Sequence, residues 1–91
     1  MTKVQITPEE SHKVELLYNQ FTGYCNILGY LAQYGSINTN LFDKKWEEAV
    51  EINRELEALK AELDMKYHPQ DGVEYKNYSF DFIQYLMVYV E

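Results

Sequence analysis

Positive charge is scarce in this chain. Eight Lys and Arg stand against 15 Asp and Glu, giving a net charge of −7 and a pI near 4.7. Electrostatic binding to nucleic acid or to an anionic membrane surface needs clustered Lys and Arg, so neither is expected as a direct partner. Cysteine is almost missing. Cys25 stands alone, which excludes an internal disulfide and a cysteine-built metal cluster. There is no glycine-rich phosphate loop, no Ser–His–Asp order and no zinc-ligand spacing. The first ten residues, MTKVQITPEE, lack the apolar run of a secretory signal, so the cytoplasm is the expected compartment.

The sharpest absence is local. From Leu16 to Phe42 no residue is charged, although 25% of the chain is. A membrane span wants about 20 predominantly apolar residues. Here Asn19, Gln20, Asn26 and Gln33 are spread through the stretch, with Gly23 and Gly29, so a span is not expected. The stretch instead holds Tyr18, Tyr24, Tyr30 and Tyr34. Tyrosines give large contact area at small entropy cost and tolerate a half-wet site.

What is present is helical pattern. At 46% hydrophobic and 15% aromatic, 91 residues are enough for one folded domain, 1–91. Residues 1–6 form a loose or briefly extended lead-in. Thr7-Pro8-Glu9-Glu10 is a capping box with proline at the first helical position. Val14, Leu17, Phe21, Tyr24, Leu28 and Leu31 then recur at heptad spacing. The spacing predicts a helix over about 8–34. Gly35 to Asn40 supplies a turn, with Gly35 as C-cap and Thr39 or Asn40 opening the next helix. A second helix is predicted over about 41–67, seamed by Phe42, Ala49, Ile52, Leu56, Leu59 and Leu63, with Trp46 and Tyr67 alongside. It stops before His68-Pro69. Two long seamed helices with a short connection make an antiparallel hairpin.

The segment from Ser79 to the end is apolar almost all round, with a composition as suited to a strand as to a helix. Because the rest is helical and a lone strand has no partner, a short helix over about 79–90 is predicted. The expected fold is therefore all-α, a three-helix bundle. An 11-residue helix covers less than half of the groove between two arms roughly 40 Å long. Self-association, as a homodimer or higher oligomer, would close the remainder.

The face of the first helix opposite its seam carries Asn19, Thr22, Gly23, Asn26, Gly29, Tyr30 and Gln33. It is polar without charge, which a solvated face seldom is. Each interior glycine costs about 1 kcal/mol against alanine, calling for close approach of another backbone or a local kink. This strip is the predicted self-interface or partner-binding surface. The second helix offers an acidic face, Glu47, Glu48, Glu51 and Glu55, able to imitate nucleic-acid charge on a basic enzyme site.

Chemistry finds little support. Glu9-x-x-His12 has the spacing of carboxylate di-iron bundles, but such a site needs the motif twice plus further inward carboxylates. First-turn acids meeting the helix dipole explain it without a metal. Cys25, on a flank of the seam, suits a small buried apolar residue, and His68 suits a helix C-terminus. No catalytic residue, metal or cofactor is expected. The expected function is a non-enzymatic protein–protein interaction module, an oligomeric helical adaptor or inhibitor that docks on one partner protein through the uncharged strip. An acidic mimic, and a small-molecule or nucleotide sponge with an aromatic pocket formed between protomers, are the alternatives.

Overall fold

The computed structural model describes residues 1–34 and 39–91. The order of elements is β1 (Thr2–Gln5), α1 (Pro8–Tyr34), α2 (Thr39–Tyr67), β2 (Asn77–Asp81) and β3 (Leu86–Val90). The predicted turn at Gly35–Asn40, with its Gly35 cap, lies mostly outside the described residues, and α2 begins at Thr39. Both helices are present with nearly the expected bounds.

The start of α1 is fixed by its capping box. The Glu10 amide donates to Thr7 Oγ1 at 3.1 Å, and the Thr7 amide donates to Glu10 Oε1 at 2.9 Å. Two of the orphan donors at the helix start are thus satisfied reciprocally.

The end of the chain corrects the sequence reading. There is no helix over 79–90, and the fold is neither all-α nor a helical bundle. Residues 77–90 form a β-hairpin, and a three-stranded antiparallel sheet runs in the order β1-β3-β2. The strand that had no evident partner has two. Thr2 pairs with Tyr89 and Gln5 with Leu86 on one side, while Asn77 pairs with Val90 and Asp81 with Leu86 on the other. The lead-in residues are therefore an edge strand.

The hairpin turn is built without glycine. Asp81 Oδ1 accepts from the amides of both Ile83 and Gln84 at 3.0 Å. Tyr85 takes the left-handed conformation, at φ 58°. Gln5 Nε2 donates to the carbonyls of Gln84 (3.1 Å) and Tyr85 (2.9 Å), and the Ile6 amide donates to Tyr85 O at 2.9 Å. The far end of β1 thereby fixes the turn.

The chain divides into two compact units, residues 1–15 with 59–91, and residues 16–58. The first holds the sheet and the helix ends packed on one of its faces. Pleat alternation sends Tyr78, Phe80, Met87 and Tyr89 to that face. Met87 and Tyr89 on the central strand are fully buried, with Ile6, Ser11, Val14 and Leu63. The second unit is two helix segments side by side, with Leu28, Ala49 and Leu56 at its centre.

Candidate functional site

Among the described residues of the second unit the only elements are its two helix segments. Its core is narrow, and several large apolar side chains stay in water: Leu16 is 50% exposed, Tyr18 53%, Ile27 44%, Tyr30 65% and Trp46 56%. The predicted seams account for the buried side. Leu28 is buried, with Leu17, Phe21, Tyr24 and Leu31 half-buried beside it, and across from them Ala49 and Leu56 are buried and Ile52 half-buried.

The strip predicted as an interface is on the surface throughout: Asn19, Thr22, Gly23, Asn26, Gly29, Tyr30 and Gln33 are all exposed. α1 runs unbroken past both glycines, and nothing lies within 4 Å of where a Cβ would stand on Gly23 or Gly29. No other described backbone of this chain makes the close approach the glycines would permit.

The seven residues fall into two groups at 100° per residue. Asn19, Gly23, Asn26 and Tyr30 point away from the seam, near Leu16. Thr22, Gly29 and Gln33 lie towards one flank, the flank that carries Tyr18, Cys25 and Ala32. Cys25, expected in a buried position, is exposed, as is Ala32, because no described residue covers that flank.

On the other flank the segments are tied together. Lys45 Nζ meets Glu48 Oε2 at 3.3 Å and sits 5.9 Å above the ring of Tyr24. The Tyr24 hydroxyl hydrogen-bonds Glu48, which pushes the Tyr24 pKa up and draws the Glu48 pKa down, the Lys45 contact adding to the latter. Beside these residues Gln20, Gly23, Tyr24, Ile27 and Ile52 line an open groove of about 270 Å³. Ligand pockets usually occupy about 300–1,000 Å³ and enclose most of their ligand.

Two carboxylates of the predicted acidic face have ion-pair partners on their own helix. Glu48 is engaged as described, and Glu51 pairs with Arg54 at 2.7 Å. Helical geometry spreads Glu47, Glu48, Glu51 and Glu55 over about 100° of the helix circumference. Glu9 and His12 are both exposed, and among the described residues no three His, Cys, Asp or Glu side chains converge as a metal site.

Sequence reasoning missed a polar cluster in the sheet unit. The Tyr89 hydroxyl donates to Asp64 Oδ1 at 2.7 Å, and His68 Nδ1 lies 3.1 Å from the same oxygen. Tyr75 donates to Asp71 at 2.6 Å, with its hydroxyl 2.6 Å from Thr2 Oγ1. The rings of Tyr75 and Tyr89 meet His68 edge-on. Burial raises the Asp64 pKa, but the bonds from Tyr89 and His68 outweigh it and hold the carboxyl below its usual range. Burial and the Asp64 bond together push the Tyr89 pKa strongly upward, so its hydroxyl stays a donor. These polar groups bond one another, and the cluster fastens the end of α2 to the sheet.

The chain matches no protein-family model, no curated protein and no solved structure. No helix among the described residues is long and apolar enough to cross a membrane. The class is defined by fold alone: an α+β chain with a helical hairpin and a small antiparallel sheet.

Proposed function

We propose that the protein is a non-enzymatic interaction module, a small self-associating adaptor or inhibitor of the cytoplasm. It docks on one partner protein through the uncharged face of α1. The supporting observation is the exposure of Leu16, Ile27 and Tyr30 on a helix segment with no charged residue between Leu16 and Tyr34. Scattered apolar residues on a surface are ordinary, but contiguous patches usually mark contact sites. Tyrosine and glycine beside asparagine and glutamine give a contact face that is apolar in area and polar in its hydrogen bonds. Docking there would also offset the cost of two glycines that no described backbone of this chain approaches.

The test is a paired substitution on the exposed strip. Tyr30→Lys with Gln33→Lys is expected to abolish capture of the partner from native-host extract while leaving the helical circular dichroism unchanged. Undiminished capture by a folded double variant would remove this reading.

A further inference from the structure

The loop between α2 and β2 holds the one place in the chain where an Asp or Asn stands directly before a glycine, Asp71-Gly72. The pair has a chemistry of its own. The amide nitrogen of the following residue can reach the side-chain carboxyl carbon, and glycine puts no Cβ in its way. Both residues are exposed, Gly72 takes φ 77°, and nothing stands within 4 Å of where its Cβ would be.

Against this, the Asp71 carboxylate is held at both oxygens. The Val73 amide donates to Oδ1 at 3.0 Å, and the Tyr75 hydroxyl donates to Oδ2 at 2.6 Å. Tyr75 is itself placed by its surroundings, with its hydroxyl 2.6 Å from Thr2 Oγ1 of β1 and its ring edge-on to His68. The Tyr75 bond, and after it the Val73 amide, hold the Asp71 carboxyl below its usual range and so favour its ionised form. An ionised carboxylate has no hydroxyl to lose and is a poor target for a nitrogen nucleophile. Hydrogen bonds to a charged acceptor are among the stronger ones, so they also oppose rotation of the side chain towards Gly72.

We propose that Asp71-Gly72 is a site of spontaneous isoaspartate formation, restrained in the folded chain by the Tyr75 hydroxyl. The Gly72 amide nitrogen bonds to the side-chain carboxyl carbon of Asp71 in its protonated form. The carboxyl hydroxyl leaves as water with the nitrogen's proton, closing a succinimide. Water then adds at the Asp71 main-chain carbonyl carbon and breaks its bond to the Gly72 nitrogen. The chain now continues through the former side chain, one methylene longer, with no net change in atoms and no redox step. The free carboxylate stands on Cα, one carbon nearer the main chain, and gives up its bonds from Val73 and Tyr75. Modification thus unties the loop from the residue that links it to β1.

The test ages the full chain in neutral buffer and maps its peptides by electron-transfer fragmentation, which separates isoaspartate from aspartate at equal mass. Isoaspartate is expected at residue 71 and not at Asp81, which Phe82 follows. The folded parent should form it about tenfold more slowly than the same chain in urea, the effect of one hydrogen bond to a charged group. Tyr75→Phe keeps the ring and should recover most of that difference, with its circular dichroism unchanged. Thr2→Val removes the bond behind Tyr75 but leaves Tyr75 on Asp71, and should age at close to the parent rate.

A folded parent that ages as fast as the chain in urea would overturn the proposal, even where Tyr75→Phe does not fold. A folded Tyr75→Phe no faster than the parent would also overturn it. So would Thr2→Val matching Tyr75→Phe, since the restraint would then lie in the sheet edge and not in the Tyr75 hydroxyl.

Discussion

Met87→Ala is expected to lower the unfolding free energy by about 3 kcal/mol, the middle of the range for buried large-to-alanine changes. Met87 is 0% exposed. It sits on the central strand between Val4 of β1 and Phe80 of β2. Its side chain has neighbours on both sides along the sheet and the helix ends above it. Truncation leaves a cavity that two short edge strands cannot close without giving up register. A domain of this size has only about 5–10 kcal/mol of stability to lose. The urea midpoint should therefore fall by about 2 M, taking a slope near 1.5 kcal/mol per molar. Ile83→Ala, in the same hairpin at a position 89% exposed, should shift the midpoint hardly at all.

The second large effect concerns Glu10. Beyond capping α1, its carboxylate accepts from Lys66 Nζ at 2.8 Å and from the Tyr67 hydroxyl at 2.5 Å, both at the end of α2. Burial raises its pKa, but the bonds from Lys66, Tyr67 and Thr7 outweigh that and lower it to about 2 from an ordinary 4.5. A carboxyl depressed on folding contributes stability that is fully present above pH 4.5 and lost as pH falls towards 2. The full shift corresponds to about 3 kcal/mol. Lys66 is 58% exposed, so solvent screening reduces the figure to about 2 kcal/mol. Glu10→Gln should cost about that much at pH 7 and little at pH 2. Equilibrium unfolding as a function of pH should show a shallower acid limb for the variant than for the parent. Some slope should remain, because the Asp64 carboxyl is also held below its usual range.

Both effects arise in the sheet unit, where the sequence is hardest to read. The helices are legible because their signals are local and redundant: a capping box, heptad seams and a stop before His68-Pro69. The sheet is not, because its signal is split between the two ends of the chain. Asn77-Tyr78-Ser79-Phe80-Asp81 alternates polar and aromatic residues, which is strand spacing, yet it merges into the run that ends at Val90. The turn between β2 and β3 has no Gly, Asn or Pro. Its sign is Asp81, whose carboxylate caps two amides. The reasoning that a lone strand lacks a partner fails at Thr2–Gln5, four residues too few to be recognised as a strand alone.

The candidate surface is legible in part. Missing charge from Leu16 to Phe42 marks the segment, and the helical period separates its seam from Asn19, Gly23, Asn26 and Tyr30. The flank holding Tyr18, Cys25, Phe42 and Trp46 reads as a widened seam only if a third helix covers part of it. In the structure Tyr18, Cys25 and Trp46 on that flank are exposed. The polar cluster of Asp64, His68, Tyr75 and Tyr89 cannot be foreseen, since its members meet only through the sheet.

The central claim is that another protein covers the α1 face in the working state. Oxidative footprinting in extract of the native host, against the purified chain at low concentration, measures this directly. Met65, 87% exposed and outside the hairpin unit, serves as the internal reference. Tyr30 is expected to be labelled several-fold more slowly in the extract relative to Met65. Equal relative labelling of Tyr30 in both samples would contradict the claim.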